Sequence, residues 1–311
     1  MLKYIVILLD DTSVSYCHFC NENTENRLIS LENLKAGILF AMKENLMIQF
    51  VYPNYELPQD YKDVINGIDH SKIVPIGYNE QGDVVVANCL EDLNVNSTDC
   101  NLTYALRINK EDLYDNHKSL SKILEKVTRL NIVLTDVEDF TSEDFEHYKT
   151  FLQEMVGETI QLYISGKSPQ LNILTDRMML DSMNNCNAGW ENITLAPNGR
   201  FYVCPAFYHS NNYSIGDLKN GLNIKNPQLY KLSYAPLCRN CDAYQCKRCV
   251  WLNLKMTYEV NTPSHEQCVI AHLERNASRQ MLANIRKCRT FIPEKEITEI
   301  NYLDPFDVYK I

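Results

Sequence analysis

The sequence lacks any long hydrophobic segment and any excess of basic residues. No run approaches the roughly 18 apolar residues of a membrane helix. The apolar stretch at Tyr4–Leu9, followed by Asp10 and Asp11, is too short for a secretory signal and predicts a buried strand. The net charge of −10 argues against a nucleic-acid backbone or an anionic membrane as the main partner. We therefore expect a cytoplasmic protein that binds neither.

Glycine is also scarce, with 10 residues in a chain of 311. No Gly-rich phosphate loop follows any candidate strand, and neither an internal repeat nor a low-complexity segment is present. The hydrophobic share of 45% and the charged share of 23% are ordinary for a globular protein. The length is sufficient for two domains that each have a core.

The N-terminal half alternates between strand-like and helix-like segments, a pattern that favours a parallel α/β sheet. The predicted strands are Tyr4–Leu9, Leu46–Tyr52, Val84–Ala87, Tyr104–Ile108 and Leu130–Leu134. The predicted helices are 31–44 with Ser30 as N-cap, Lys110–Arg129 and Ser142–Ile164.

The sequence pattern changes near Asp176, from long helices and strands to short strands, turns and cysteines. Ile193–Cys204 reads as a hairpin around a Pro-Asn-Gly turn, and Gln267–Ile285 reads as an amphipathic helix. We therefore divide the chain into three predicted parts. They are an α/β domain at 1–178, a small Cys-rich domain at 179–285 and a C-terminal tail at 286–311.

The cysteines are the most informative residues present. Seven of the twelve lie between Cys186 and Cys268, and four of these form two Cys-x-x-Cys turns within Cys238–Cys249. A Cys-x-x-Cys turn directs two sulfur atoms to one point, so a pair of such turns indicates a metal site. Buried structural thiols are the alternative, although they have no reason to recur at this spacing.

The spacing favours two interleaved sites over one local site. A zinc ribbon separates its two turns by roughly 15–20 residues so that the chain can fold back around the ion. Only four residues separate Cys241 from Cys246. Shells made of thiolates suit iron–sulfur clusters and zinc alike, so both metals stay open at this point.

The order of the seven cysteines resembles the SPASM domain, the Cys-rich extension of many radical SAM peptide-modifying enzymes. In that family two auxiliary [4Fe-4S] clusters share interleaved ligands. The resemblance implies that Cys186, Cys204 and Cys249 serve the first cluster. It implies that Cys238, Cys241, Cys246 and Cys268 serve the second. Two spacings within the quartet are one residue shorter than is usual in the family.

The segment after the first strand departs from the same family. Radical SAM enzymes carry Cys-x3-Cys-x2-Cys there, and this sequence has Cys17 and Cys20 with Ser13 in the place of the first cysteine. Serine is a poor iron ligand because its hydroxyl loses a proton far less readily than a thiol. The family's Gly-Gly-Glu signature is replaced by Asn54, Tyr55 and Glu56, where the larger side chains would obstruct the approach of S-adenosylmethionine. Cys17, Cys20 and Glu56 are therefore weak candidates for cofactor binding.

Three stretches look like the CXXX repeat peptide maturase family, which is related to radical SAM/SPASM proteins of bacterial peptide-processing systems. They are Asp10–His18, Cys238–Cys249 and His272–Ser278. The resemblance implies a partial (β/α) barrel with a degenerate radical SAM site, a SPASM-like domain and maturation of a ribosomally made, Cys-repeat peptide. It also implies a precursor-peptide partner and a companion modification protein. Two alternatives stay open: a non-catalytic peptide-binding scaffold with structural zinc, and a radical SAM enzyme with a non-standard cluster ligand.

For the remaining candidate residues we favour structural roles over catalytic or binding roles. Asp10 and Asp11 are expected to end a strand in solvent, and Arg107 is expected to form an ion pair. Surface positions are expected for His209 and His265. Structural roles are expected for Cys89, Cys100 and Cys288, and Trp190 and Trp251 are expected to shield the clusters.

Overall fold

The computed structural model of the chain describes residues 2–93, 101–210 and 213–288. The strands are β1 Tyr4–Leu8, β2 Met47–Val51, β3 Ser71–Pro75, β4 Val84–Ala87, β5 Thr103–Ile108, β6 Arg129–Leu134, β7 Gln170–Leu171, β8 Asn192–Leu195, β9 Phe201–Tyr202, β10 Gly216–Asp217 and β11 Gly221–Leu222. The helices are α1 Leu31–Lys43, α2 Gln59–Asn66, α3 Lys110–Asp115, α4 His117–Leu124, α5 Ser142–Ile164, α6 Asp176–Met179, α7 Pro205–His209, α8 Val250–Thr257 and α9 His265–Cys288.

Two compact units make up the structure, and each is assembled from both halves of the chain. Unit 1 comprises residues 1–86 and 186–236, and unit 2 comprises residues 87–185 and those from 237 onward. These units do not follow the three predicted parts, whose boundaries stay a prediction. Residues 289–311 of the predicted tail, like Cys100, lie outside the described residues.

Unit 1 contains a mainly parallel sheet. Its strands are ordered β9-β8-β1-β2-β3-β4, and only the β8–β9 pair is antiparallel. Ser30 caps α1 by accepting a hydrogen bond from the Asn33 amide, as its sequence position predicts. The predicted hairpin is confirmed: Gly199, with φ of +75°, closes the turn by donating to the Ala196 carbonyl at 2.9 Å. The predicted α/β class with parallel strands is therefore confirmed.

Helix α1 packs closely on the sheet because Gly37 faces β1 and β8. A Cβ atom at Gly37 would lie 2.3 Å from Leu195 Cδ2 and 3.7 Å from Ile7 Cδ1. The absence of a side chain at this position therefore sets the distance between the helix and the strands.

We expect Gly37→Val to destabilise the protein by about 1–3 kcal/mol, the usual cost of overpacking. The measurement is the free energy of unfolding in urea. Gly157→Ala is the matched control, because Gly157 is exposed on α5 and a Cβ there meets nothing within 4 Å. That change should stabilise the protein by up to about 1 kcal/mol. Equal effects of the two substitutions would contradict the account of α1 packing.

Unit 2 contains the parallel strands β5, β6 and β7 and two long helices, α5 and α9. The two helices pack against each other. Helix α5 begins and ends as predicted, and a capping box between Thr141 and Asp144 fixes its start. The predicted helix Lys110–Arg129 is wrong as one element. Asn116 separates α3 from α4, and its side-chain amide donates to the Asp112 carbonyl at 2.8 Å, a local bond that competes with a continuous helix.

Candidate functional site

The two Cys-x-x-Cys turns of unit 2 have different local structures. Cys238 opens a short 3-10 turn, and the Cys241 amide donates to the Cys238 carbonyl at 3.1 Å. The second turn runs from Cys246 to Cys249, which is the N-cap of α8. The first turn therefore has a thiol at each end of a tight bend, which is the arrangement that the spacing predicts.

Backbone amides are directed at three of the four sulfur atoms. The Ala243 amide donates to Cys241 Sγ at 3.4 Å, and the Arg248 amide donates to Cys246 Sγ at 3.4 Å. The Leu252 amide donates to Cys249 Sγ at 3.5 Å. Hydrogen bonds to sulfur favour the charged thiolate, the form that binds a metal. The loop thus carries donors that a thiolate-ligated centre would use.

Cys238 is buried, and the other three thiols of this loop are half-buried. Burial, together with the neighbouring Cys238 and Cys241, raises the pKa of Cys246 to about 12. Burial likewise raises the pKa of Cys238 to about 11, against the lowering effect of Arg248. Because metals bind thiolates, a metal entering this loop must displace protons, and its affinity would increase with pH.

His272 is a residue that the sequence interpretation did not assign to the site. Its Nε2 lies 3.5 Å from Cys241 Sγ, and burial lowers its pKa to about 4, which keeps the ring neutral at pH 7. His272 follows Cys268 by four residues on α9, so the two side chains share one face of the helix. That spacing was the available signal, and it was overlooked because the family motif contains only cysteines.

No three His, Cys, Asp or Glu side chains in residues 2–93, 101–210 and 213–288 are gathered around one point as ligands of an ion. The donors of unit 2 still fit a thiolate-bound metal, because Cys238 and Cys241 both act on the pKa of Cys246 and because Cys241, Cys246 and Cys249 accept amide hydrogen bonds. Their side chains would have to rotate towards a common centre. The seven metal-ligand assignments therefore stay a prediction.

The remaining predicted ligands are distributed over both units. Cys186 and Cys204 belong to unit 1, whereas Cys249 belongs to unit 2. Cys268 lies in the first turn of α9, in unit 2. Shared ligation by Cys186, Cys204 and Cys249 stays a prediction.

A buried ion-pair network supports the loop that joins the two turns. Arg275, whose side chain is fully buried, binds Asp242 through Nε and an amino group at 2.7 Å each. Arg177 donates to the same carboxylate at 3.1 Å and lies over the Tyr244 ring, 4.4 Å from its centroid. Asp242 directly follows Cys241, so this network fixes the loop to α6 and α9.

Glu274 is a buried acid beside the same loop. Tyr148 donates to its carboxylate at 2.8 Å and Gln245 donates at 3.3 Å. Burial raises the pKa of Glu274 from 4.5 to about 7. The folded protein therefore binds this proton more tightly than the unfolded chain does.

We expect the difference in free energy of unfolding between the wild type and Glu274→Gln to depend on pH. As the pH rises from about 4.5 to about 7, the wild type should lose stability and the variant should not. Glu274 favours folding while it is protonated, and that advantage is lost through its folded pKa. The difference should be on the order of 3 kcal/mol across this window. Urea unfolding at several pH values measures it. Glu158→Gln, on the exposed side of α5, is the control. If the free energy of unfolding varied with pH in the same way in the wild type and in Glu274→Gln, the prediction would be contradicted.

Ser13 has a structural role in unit 1. Its hydroxyl donates to the Val51 carbonyl at 2.9 Å and accepts from the Asp10 amide at 3.0 Å, and the residue is 1% exposed. Both bonds hold the loop after β1 to the end of β2. The Ser13 oxygen is therefore used to shape the backbone.

The expectation that Asp10 and Asp11 end the strand in solvent is wrong, because both are buried. Asp10 accepts hydrogen bonds from the Thr12 amide at 2.8 Å and from the Tyr55 hydroxyl at 2.8 Å. Asp11 pairs with Arg27 at 2.7 Å and accepts a short hydrogen bond from Tyr208. Burial is tolerated because each carboxylate has polar partners.

Tyr55 and Glu56 follow β2. The Tyr55 hydroxyl reaches Asp10 at the carboxyl end of β1, so its ring lies across this edge of the sheet. Glu56 is largely exposed and pairs with Lys62. Its role as a cofactor contact stays a prediction.

Cys17 lies closer to the C-terminal cysteines of unit 1 than its sequence position suggests. Cys17, Cys186 and Cys204 all raise the pKa of Tyr16, although burial of that phenol is the larger cause. The Tyr4 hydroxyl donates to the Cys186 carbonyl at 2.8 Å. Cys20 is exposed. The sequence did not predict that Cys17, Cys186 and Cys204 would all act on Tyr16.

Among the minor candidates, His265 is exposed at the start of α9, as expected. The surface expectation for His209 is wrong: its ring stacks on Phe19 with centroids 5.5 Å apart, and burial lowers its pKa to about 4. Arg107 is also buried, and it donates to the Asn88 side chain at 2.8 Å.

Comparison with solved structures identifies similar folds at low sequence identity. Native anSMEcpe with bound AdoMet is 11% identical with a TM-score of 0.61, and the match covers 91% of this chain and 99% of that one. Native anSMEcpe with bound AdoMet and Cp18Cys peptide is 12% identical with a TM-score of 0.61, covering 92% and 99%. Streptococcus suis SuiB bound to precursor peptide SuiA is 13% identical with a TM-score of 0.49, covering 86% and 76%. No family model matches the sequence, and no curated protein matches it.

These similarities show the fold. The matched residues share the α/β fold of anSMEcpe, in agreement with the predicted α/β class. In the part of the chain that the structure describes, no helix has the length and hydropathy to cross a membrane.

Proposed function

We propose that this protein takes part in the maturation of a ribosomally made peptide and carries thiolate-ligated metal in its C-terminal half. The observation that supports this most is the loop at Cys238–Cys249, where half-buried thiols accept amide hydrogen bonds beside buried arginines. The fold, shared with a protein solved with bound AdoMet and peptide, is consistent with this function.

The residues proposed to hold metal are those of the family resemblance. Cys238, Cys241, Cys246 and Cys268 would hold one [4Fe-4S] cluster. Cys186, Cys204 and Cys249 would hold a second. When bound, such clusters supply electron transfer, with a potential set by hydrogen bonds to sulfur and by burial. The chain's own contribution is to exclude water and to donate amides to the sulfur atoms.

The barrel site is proposed to be degenerate for S-adenosylmethionine cleavage. Ser13 is committed to two backbone hydrogen bonds, and Tyr55 lies across the sheet edge where a ligand would approach. Cys17 and Cys20 alone would leave a cluster weakly held. A companion modification protein, or the remaining clusters, would then carry out the chemistry on the peptide.

The proposed partner is a precursor peptide with repeated Cys-x-x-x units, as the resemblance to CXXX repeat maturases suggests. Solved relatives in fold support a peptide partner in general terms, since anSMEcpe was crystallised with a Cp18Cys peptide. The acidic charge of −10 favours a peptide with a basic segment.

A non-catalytic scaffold with structural zinc is the second candidate, and His272 favours it. A neutral imidazole nitrogen 3.5 Å from Cys241 Sγ provides a nitrogen donor, and mixed sulfur and nitrogen ligands are typical of zinc. In that case the metal stabilises unit 2, and the protein only presents the peptide.

The decisive experiment is metal analysis of protein purified without oxygen, combined with a product assay. About four irons for each cluster, with a broad absorption band near 400 nm, support the iron–sulfur proposal. Zinc without colour supports the scaffold. A metal-free protein that folds normally contradicts both.

The product assay tests whether the barrel cleaves S-adenosylmethionine. Reduced protein incubated with S-adenosylmethionine is expected to give no 5′-deoxyadenosine. Its formation would instead establish a radical enzyme with a non-standard cluster ligand. Binding of a fluorescent Cys-x-x-x repeat peptide, compared with a repeat in which serine replaces cysteine, tests the partner.

A further inference from the structure

The Cys-x-x-Cys motif of unit 1 is a pair of thiols that the proposed metal sites do not use. Cys17 and Cys20 follow β1 in the segment that leads to α1, and the strands on either side of that helix, β1 and β2, are parallel. A Cys-x-x-Cys motif in such a strand–helix–strand unit is typical of redox dithiols. Two such thiols react as a pair only if the chain between them turns.

The chain does turn between the two cysteines. Extended backbone would place residues three positions apart about 10 Å from each other, whereas a disulfide needs Cα atoms about 4.4–6.8 Å apart. The backbone bends at Cys17 and His18. The Asn21 amide donates to the Ser15 hydroxyl at 2.9 Å, which closes the segment on itself. Cys17 and Cys20 therefore lie inside a closed loop, the 15–21 loop.

Polar contacts hold the 15–21 loop to the segment that leaves β1. The Asn21 side-chain amide donates to the Asp11 carbonyl at 2.7 Å and to the Ser13 carbonyl at 3.0 Å. Ser13 is itself held to β2 through its hydrogen bond to the Val51 carbonyl. Asn21 therefore fastens the loop to the sheet and limits the conformations that the two thiols can adopt.

Phe19 anchors the loop between the two cysteines. Its side chain is buried, its ring stacks on His209 of α7 with centroids 5.5 Å apart, and the Tyr16 ring meets it edge-on at 6.1 Å. Cys20 is exposed, whereas Cys17 is half-buried. This difference separates the roles of the two thiols, because thiol–disulfide exchange begins at the more accessible sulfur.

We propose that Cys17 and Cys20 form a redox dithiol that exchanges with a disulfide of the peptide substrate. The Cys20 thiolate attacks one sulfur of that disulfide, and the other sulfur leaves as a thiolate. Cys17 then attacks Cys20 Sγ in the mixed disulfide, so the Cys17–Cys20 bond forms and the second peptide thiolate leaves. Two electrons pass from the protein to the peptide, and the two protons of the protein thiols end on the peptide thiols. A monothiol or dithiol reductant regenerates the protein by the same exchange.

The identity of the disulfide rests on the proposed function, because a peptide with repeated Cys-x-x-x units supplies it. In that role the dithiol keeps the cysteines of the peptide reduced for modification. The exchange reaction itself needs neither the peptide nor metal in unit 2, so a small disulfide tests it separately.

The test follows the oxidation of the reduced full-length chain by glutathione disulfide in the absence of oxygen. Thiols that remain reduced at each time are blocked with an alkylating reagent, and mass spectrometry assigns the state of each cysteine. The variants are Cys17→Ser, Cys20→Ser and Asn21→Ala. Cys288→Ser is the matched control, since it removes an exposed cysteine of unit 2. Circular dichroism checks that each variant is folded.

We expect Cys17 and Cys20 to become linked to each other in the wild type and equally in Cys288→Ser. Cys17→Ser should instead accumulate a glutathione adduct on Cys20, because the second thiol is absent. In Cys20→Ser, Cys17 should react about 10-fold more slowly than Cys20 does in Cys17→Ser, since access limits the exchange. Asn21→Ala should lower the equilibrium constant for the Cys17–Cys20 disulfide about 10-fold, because its lost hydrogen bonds no longer hold the loop closed.

Two results would overturn the dithiol. One is a glutathione adduct on Cys20 of the wild type that is never displaced by Cys17. The other is a disulfide from Cys17 to Cys186 or Cys204, the thiols that raise the pKa of Tyr16 together with Cys17.

A disulfide-linked Cys-x-x-x-Cys peptide separates this inference from the proposed function. At the same concentration it should oxidise the dithiol about 10-fold faster than glutathione disulfide, because binding holds the disulfide beside Cys20. If the Cys17–Cys20 bond forms with glutathione disulfide and the peptide reacts no faster, the dithiol stands and the peptide substrate is wrong. If the fluorescent repeat peptide binds and no disulfide links Cys17 to Cys20, the peptide partner stands and the dithiol is wrong.

Discussion

Replacing Cys246 with serine is expected to remove one metal centre from each chain. Cys246 is half-buried, its sulfur accepts a hydrogen bond from the Arg248 amide, and it lies near both Cys238 and Cys241. A serine hydroxyl keeps the size of the side chain but cannot ionise at neutral pH. Anaerobically purified Cys246→Ser protein should therefore lose about four irons in the iron–sulfur case, or one zinc in the scaffold case.

The substitution should also lower stability, because a structural metal contributes on the order of 10 kcal/mol to folding in small zinc domains. Thermal unfolding with and without a chelator measures this contribution: the chelator should destabilise the wild type and leave Cys246→Ser almost unchanged. Cys288→Ser is the control, since Cys288 is exposed at the end of α9. A full complement of metal in Cys246→Ser would refute the assignment of the quartet.

Asp242→Asn is expected to cost about 3–5 kcal/mol of folding free energy, the range measured when one partner of a buried ion pair is removed. The asparagine side chain has nearly the same shape but carries no charge. It would leave Arg275 fully buried without its carboxylate and would weaken the contact to Arg177. Urea unfolding of the metal-free protein isolates this effect from metal binding.

Arg239→Gln provides the comparison for this experiment, because an exposed substitution usually changes stability by no more than about 0.5 kcal/mol. The double substitution Asp242→Asn with Arg275→Met should recover part of the loss, since it removes the uncompensated charge. If Asp242→Asn unfolds at the same urea concentration as Arg239→Gln, the network does not stabilise the loop.

Local patterns predicted much of the α/β fold correctly. The Ser30 cap, the capping box before α5 and the Pro-Asn-Gly turn at Gly199 all depend on neighbours within a few residues. Such interactions are encoded in short stretches of sequence, so the corresponding helix starts and the hairpin could be predicted. The break between α3 and α4 was missed because the hydrophobic spacing continued through Asn116.

The polar residues around the site could not be predicted in the same way. Asp10 and Asp11 were expected in solvent, but partners as distant as Tyr55 and Tyr208 make their burial possible. From the sequence, His272 was placed in a family motif but was assigned no role. Its short distance from Cys241 depends on how α9 packs. These contacts join residues separated by 31 to 197 positions, and no local pattern reports them.

The sequence by itself determined the parallel α/β class and the positions of the Cys-x-x-Cys motifs. Only the tertiary structure decided that Ser13 is bound to backbone and that Arg177 and Arg275 converge on Asp242. The physical reason is that turn and helix preferences act between near neighbours. Burial and charge compensation, in contrast, depend on which distant segments come together in the fold.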